Sequence, residues 1–422
     1  KNHTLLQKKI IKDYGEFEDT NVPWKLRSDK LKIQQIRILD SVKSNCMSKW
    51  FEDCSNLTNL IDLQKLDVSD CENFSYMFKH CESLKEIDAL QDWNVSDGKV
   101  FADMFDMCFE LKSIDALKNW NVLNGKDFSF MFANCINLTA IDALENWNVF
   151  NGKDFSDMFS NCELLQNINA LENWNVSKAE DFSNMFAYCK SLQNIDALKT
   201  WNVSNGEKFS CMFSYCKSLQ DIDTLTNWNV ENGKAFYHMF SYCKSLQDIS
   251  ALQNWNVSNV EDFSNMFAHC NSLQNIDALK TWNVSNGVNF SYMFSNCKSL
   301  QDLNGLSNWN VSNGVDFSSM FSNCESLQDL NGLSNWNVSN GTNFSYMFYY
   351  CQFLQNLNGL ENWNMSNGVN FSFMFEFCTL LKEIYLSNTL DILKEDIFYE
   401  CNPTLKIHWK NHIYTYEDLL QY

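Results

Sequence analysis

The sequence predicts a repeat solenoid, with one short strand and one short helical turn in each 27-residue unit. Three observations predict it. Met-Phe-x-x-Cys recurs twelve times, from Met77-Phe78-x-x-Cys81 to Met374-Phe375-x-x-Cys378, without a slip in spacing. The columns around it repeat too, giving M-F-x-x-C-x-S-L-x-x-I-D-A-L-x-x-W-N-V-S-N-G-x-x-F-S-x. Some units are near copies: residues 298–324 and 325–351 differ at six of 27 positions, and 190–216 and 271–297 at five. A fixed period between 20 and 50 residues marks a stack of units, none of which can bury its apolar face alone.

Residues 1–45 form an N-terminal cap in this reading. They are polar and charged, and the apolar residues Leu5, Leu6, Ile10, Ile11, Ile33, Ile36 and Leu39 fall at helix-like spacing. The solenoid spans 46–384, opening on an atypical Trp50-Phe51-x-x-Cys54. Residues 385–422 are the C-terminal cap, and Ile397-Phe398-x-x-Cys401 is an atypical last unit. Both prolines, Pro23 and Pro403, lie outside the regular array. Caps are needed because an open coil edge invites another chain to add on.

Within a unit, Phe74, Met77, Phe78, Cys81 and Leu84 share one helical face. The residue before the Phe is usually Asp or Asn (Asp127, Asp154, Asp181, Asn289), suited to capping a short helical turn. Leu84-x-x-Ile87-x-Ala89-Leu90 suits a strand burying alternate side chains. Trp93-Asn94-Val95-Ser96-x-Gly98 closes the unit with a turn needing positive φ; Ala179 and Val260 replace its glycine in two units. Stacked coils then set Phe on Phe, Trp on Trp and Leu on Leu, near the inter-strand spacing of about 4.8 Å.

Three polar columns run through the repeats. Thirteen of the seventeen cysteines occupy one column from Cys54 to Cys378, and Cys401 continues it. Among Phe, Met and Leu, each reads as a buried free thiol, a small hydrophobe; disulfides along the stack or a thiolate metal ladder are the alternatives. No C-x-x-C occurs, so zinc has little support. The Asn after each Trp, Asn94 to Asn364, reads as a buried ladder satisfying turn backbone. Many of these also form N-x-S sequons, and burial beside Trp argues against glycans there. The acids Asp88, Asp115, Asp142, Asp196, Asp223 and Asp277 share a third column, where adjacent charges about 5 Å apart repel by roughly 0.8 kcal/mol in water. A solvent-facing column tolerates this; bound cations such as Ca²⁺ are the sharper alternative, weakened by Asn304, Asn331 and Asn358 in later units.

The formal charge of −20 would repel nucleic acid and anionic membrane. No apolar run is long enough to span a bilayer, so no direct membrane insertion is expected. The six histidines are scattered, and no phosphate loop, nucleophile elbow or H-E-x-x-H is present. Catalytic, cofactor-binding and metal residues are therefore expected to be none, and the chain is read as no enzyme.

The near copies point to a candidate surface. Lys298/Glu325, Ser319/Tyr346, Ser322/Tyr349 and Asn323/Tyr350 differ at positions in or beside Met-Phe-x-x-Cys. Those positions elsewhere carry Tyr76, Phe130, Tyr188, Tyr215, Tyr242, Tyr292 and Phe377. Variable, aromatic-rich positions on a rigid frame suit recognition, because tyrosine offers contact area at small entropic loss; drift at exposed sites is the plainer alternative.

With M-F-x-x-C-x-S-L-x-x-I-D-A-L, residues 46 to about 401 resemble the BspA-like leucine-rich repeats, and more closely the branch of mycoplasma-type surface-protein repeats. The ending Leu405-Lys-Ile-His-Trp409 through Tyr414-Thr-Tyr-Glu-Asp-Leu-Leu is similar to that of such arrays. The resemblance implies a leucine-rich-repeat-like right-handed coil and a non-enzymatic protein-binding or adhesion module. It implies display on a cell or virion surface, a cytoplasmic location being the alternative. The partner expected is a protein or a glycan. A structural spacer or shell component is the other function to weigh. Phe128 and Phe155 stand where that branch usually has Met, and Asn-Gly where it often has Asn-Val.

Overall fold

The computed structural model describes residues 30–385, 396–409, 412–415 and 418. The chain divides into two compact units, residues 1–206 and 207–422. Both are solenoids of 27-residue coils.

In the first unit, strands β1 (Gln35–Arg37), β2 (Val42–Lys43), β3 (Asn59–Ile61) and β4 (Leu66–Asp67) form two parallel pairs, β1 with β3 and β2 with β4. The helical spacing expected of Ile33, Ile36 and Leu39 therefore gives way to a strand across 35–37. Ile36 lies opposite Leu60 one coil on, and that pairing uses the backbone groups a helix would have kept. Leu5, Leu6, Ile10, Ile11 and Pro23 lie outside the described residues. From Cys46 the coils are linked by parallel bridges through Asn73, Val100, Asp127, Asp154 and Asp181.

Each coil holds its helical turn and its strand-like bridge, but they exchange the places expected. In most coils the bridge falls on the residue before the conserved Phe; Asn167 and Asn194 make a further bridge in the Leu-x-x-Ile segment, the place expected for the strand. The helical turn is 3₁₀ and falls on the I-D-A-L column: Asp88–Leu90, Asp115–Leu117, Asp142–Leu144, Asn169–Leu171 and Asp196–Thr200. The reason is periodicity. Leu84, Ile87, Leu90 and Trp93 are buried at steps of three, the period of a 3₁₀ turn, not the two of a strand.

Phe74, Met77, Phe78, Cys81 and Leu84 are all fully buried on one face, as their spacing predicts, yet their backbone is not α-helical. The N–H groups of Phe101, Asp103, Phe105 and Met107 donate to Asp127, Ser129, Met131 and Ala133 of the next coil at 2.8–3.0 Å. Those of Met104, Asp106 and Cys108 turn back three residues within their own coil. Two non-glycine residues per coil have left-handed backbone, here Asp103 (φ 56) and Met107 (φ 59). Each interrupts the helix and redirects alternate peptide groups toward the neighbouring coil.

The turn glycines do not have positive φ; Gly359, elsewhere in its coil, is the one glycine that does among those described. What the turn requires is space. A Cβ on Gly125 would stand within 2.5 Å of Phe128 Cζ. Where Ala179 takes the glycine's place the turn survives, with its N–H on Val176, while the Phe155–Phe182 centroid distance opens to 6.2 Å from 5.4 Å for Phe128–Phe155.

The core is a set of ladders. Phe74–Phe101 and Phe78–Phe105 stack at 5.3 and 5.5 Å, and Trp93–Trp120 at 6.4 Å. Each indole is also tethered: Trp93 Nε1 donates to Leu63 O and Trp120 Nε1 to Leu90 O, both in the preceding coil. The thiols do likewise, Cys81 Sγ donating to Phe51 O and Cys108 Sγ to Phe78 O. Burial pushes Cys189 up to about 12, so these sulfurs are neutral and inert.

The Asn after each Trp is exposed, not buried. Asn94 Oδ1 accepts Ser96 N–H, closing its own turn. The coil-to-coil amide is the Asn of Asn-Gly, as in Asn124 Nδ2 donating to Ser96 O. Asp88, Asp115 and Asp142 are exposed, which suits like charges in one column.

The second unit repeats this plan. Its bridges run Lys208, Ala235, Asp262, Asn289, Asp316, Asn343, Asn370, and its 3₁₀ turns begin at Asp223, Ser250, Asp277, Asn304 and Asn331. Phe375 stacks on Phe398 at 5.5 Å, so the atypical last unit joins the ladder. Strands β5 (Glu383–Tyr385) and β6 (Lys406–Trp409) pair in parallel, and β7 (His412–Thr415) closes antiparallel on β6. Among the described residues no helix is long and apolar enough to cross a membrane.

Candidate partner-binding surface

Nine of the ten aromatic residues singled out from sequence fall on the two left-handed positions of their coils. Tyr76, Phe130, Tyr292 and Tyr346 precede the Met, and Tyr188, Tyr215, Tyr242, Tyr350 and Phe377 precede the Cys. The tenth, Tyr349, follows Met-Phe directly. Left-handed backbone costs an ordinary L-residue about 1–2 kcal/mol, and Asn, Asp and His tolerate it best. Those residues fill many of the same positions: Asn134, Asn161, Asp157, His238 and His269. The aromatic residues have no such local excuse. They are held there by the coils, as when Tyr292 N–H donates to Ser318 O and Tyr292 O accepts from Ser295 N–H.

The ten do not form one patch. In the first unit Phe130 is 38% exposed. Tyr76 stands apart from it, with Asp103 at the corresponding position of the coil between. The Tyr76 ring is covered by lysines, with Lys49 Nζ 4.7 Å and Lys79 Nζ 5.2 Å from its centroid. Lys79 also forms ion pairs with Asp103 (2.5 Å) and Asp106 (2.9 Å). Burial opposes its charge, but the bonds from the two carboxylates outweigh burial and hold the ammonium protonated. Asp103 beside it is the main reason the Tyr76 phenol ionises less readily. Tyr188 is exposed in its own coil.

In the second unit there are two groups. Tyr215, Tyr242 and His269 form a stack, with centroids 4.1 and 3.9 Å apart. Burial, with Lys244 and Lys298 nearby, lowers the His269 pKa, so the imidazole joins as a neutral ring. Near the far end Tyr346, Tyr349, Tyr350, Phe373 and Phe377 meet as one cluster. Tyr346 lies 5.5 Å from Tyr349 and 5.1 Å from Phe373; Phe377 lies edge-on, 5.8 Å from Tyr349 and 5.5 Å from Tyr350. Tyr292 is exposed between these groups. Comparison of near copies misses His269 and Phe373, although each occupies one of the same two columns; the coil-to-coil register, read for every unit, would have found both.

The family model described as "Mycoplasma protein of unknown function, DUF285" matches residues 44–171, 87–193, 153–278, 222–306 and 274–389. The chain belongs to this family. No curated protein matches it. Among solved structures it is similar to a leucine-rich repeat protein from Bacteroides ovatus (17% identity, 90% of this chain and 84% of that one, TM-score 0.48). It is similar also to a leucine rich cell surface protein from Faecalibacterium prausnitzii (16% identity, 90% and 84%, TM-score 0.39). A third is a leucine-rich repeat protein from Eubacterium ventriosum (15% identity, 95% and 93%, TM-score 0.39).

Proposed function

We propose that the chain is a non-enzymatic protein-binding or adhesion module of a cell or virion surface, and that the Tyr346–Tyr349–Tyr350–Phe373–Phe377 cluster is its principal contact. One observation carries this reading: five rings from two successive coils meet at one place, where the near-identical preceding unit has Ser319, Ser322 and Asn323. Tyr346 is exposed and the other four rings are half-buried around it; a single exposed apolar residue needs no explanation, whereas a contiguous group of rings does. Rings held by their neighbours also lose little freedom on binding.

The test is association with material from the native source, for the full chain and for a variant carrying Tyr346, Tyr349 and Tyr350 all changed to Ala. Circular dichroism establishes that the variant is folded. Loss of a saturable association in the variant supports the proposal. Unchanged association refutes the aromatic contact and favours the spacer, whose contacts would lie at the ends of the array.

A further inference from the structure

We infer that the aromatic cluster of the second unit receives a cationic side chain, lysine or arginine, from a protein partner, seated against the Tyr349 ring with Glu376 as its counter-ion. This rests on the binding reading above and adds the chemistry of the partner.

The chain repeats the same positions in both units. In the first unit, Tyr76 precedes Met, Lys79 follows Met-Phe, and Asp106 occupies Lys79's position one coil on. The ammonium is 5.2 Å from the ring centroid and 2.9 Å from the Asp106 carboxylate, with Asp103 a second carboxylate at 2.5 Å. In the second unit the same three positions hold Tyr346, Tyr349 and Glu376. The Tyr76 ring and the Asp106 carboxylate have counterparts here; Lys79 is replaced by the Tyr349 ring and Asp103 by Phe373. Among the described residues no lysine or arginine pairs with Glu376.

The surroundings select for positive charge. Glu376 is only 8% exposed. Burial, then the carboxylates of Glu400 and Asp396, raise its pKa, and the attraction of an arriving cation would offset both effects. A cation within about 6 Å of a tyrosine face is attracted by the ring quadrupole, more strongly as water is excluded. A neutral apolar partner would satisfy the rings and leave the carboxylate buried alone; an anionic one would be repelled, as by the chain's −20 charge overall.

The probe is fluorescein-labelled pentalysine, titrated with the full chain near physiological salt and read by anisotropy. Three variants each shift the net charge by one unit toward positive: Tyr349→Lys by adding a cation, Glu376→Gln and Glu145→Gln (an exposed position of the first unit) by removing a carboxylate. Net charge therefore changes equally and only its place differs. Tyr349→Lys would set an ammonium from within beside Tyr346 and Glu376, as Lys79 stands beside Tyr76 and Asp106. It is expected to weaken pentalysine tenfold or more, and Glu376→Gln severalfold, with Glu145→Gln close to the parent chain. Equal affinities across all three variants overturn the inference. Should Tyr349→Lys not fold, the comparison of Glu376→Gln with Glu145→Gln decides alone. If the triple-alanine variant loses its native partner while pentalysine ignores all three substitutions, the contact surface stands and its cationic partner does not. Retention of the native partner by the triple-alanine variant removes both.

Discussion

Phe130 lets the strain of the left-handed positions be measured against side-chain burial, because the two predict opposite outcomes. Its φ is 55°, its N–H donates to Ser156 O at 2.8 Å, and its own carbonyl accepts from Ala133 N–H at 3.0 Å. The ring is 38% exposed. Replacing it by Asn forfeits part of the burial of a large side chain, on the order of 1 kcal/mol. It recovers a similar amount, since Asn occupies left-handed backbone with little penalty. The Asn chain should then unfold within about 1 kcal/mol of the parent. Valine keeps more apolar surface, so burial alone ranks it above Asn. Yet a β-branched residue at positive φ is a genuine outlier, and the strain is about 1–3 kcal/mol. Phe130→Val is therefore expected to be less stable than Phe130→Asn by about 2 kcal/mol. Urea unfolding of the full chain measures the order. Amide exchange at Phe130 and Ala133 localises it, with faster exchange expected in the Val chain. A Val variant as stable as the Asn variant, or more so, would show that the coil does not enforce the left-handed turn.

Two further outcomes follow from the core and the acidic residues. Trp174→Phe removes the indole donor to Leu144 O, but that carbonyl keeps Trp147 N–H. The loss is thus one hydrogen bond, about 1 kcal/mol, plus a small cavity; a denaturation loss above roughly 5 kcal/mol would mean that the ladder fails as a unit instead. Asp157 is pushed up to about 6 chiefly by burial, with Asp181 and Asp106 adding to it and Ser160 and Asn184 opposing. The folded chain holds this proton more tightly than the unfolded chain, so stability at this site falls as pH rises from about 4 to 6. Asp157→Asn should raise the unfolding midpoint at pH 8 and lose that advantage near pH 3.5; the same gain at both pH values would refute the assignment.

The buried face of each coil was legible because identity and period carry it: Phe74, Met77, Phe78, Cys81 and Leu84 needed only their spacing to be placed together. The backbone under them was not, because a run of buried positions at three- and four-residue steps fits an α-helix equally well. What separates the two is the destination of alternate N–H groups, such as Phe105 to Met131, and that partner is 26 residues away. The glycine of Asn-Gly misled for a related reason. Its usual meaning is positive φ, whereas here the following Phe ring needs the volume. The aromatic positions could be picked out as variable, but their division into separate groups depends on which coil each occupies.

Positive φ at these positions also bears on why rings can serve there. Glycine would remove the strain, but it would remove the side chain and add freedom to the unfolded chain. A tyrosine placed there has its backbone held from both sides, Tyr346 N–H on Ser372 O and Tyr346 O under Tyr349 N–H. Its orientation is then set by the ladder beneath, Phe344 on Phe371 at 5.4 Å and Phe348 on Phe375 at 5.4 Å. Exchange of Ser319, Ser322 and Asn323 for Tyr346, Tyr349 and Tyr350 between otherwise similar units alters no ladder residue. The surface can therefore change from polar to aromatic while the core that positions it stays the same. A stack of near copies is thus a frame on which surface residues change while the ladder beneath them is kept, and a weakened ladder should blur every ring it carries.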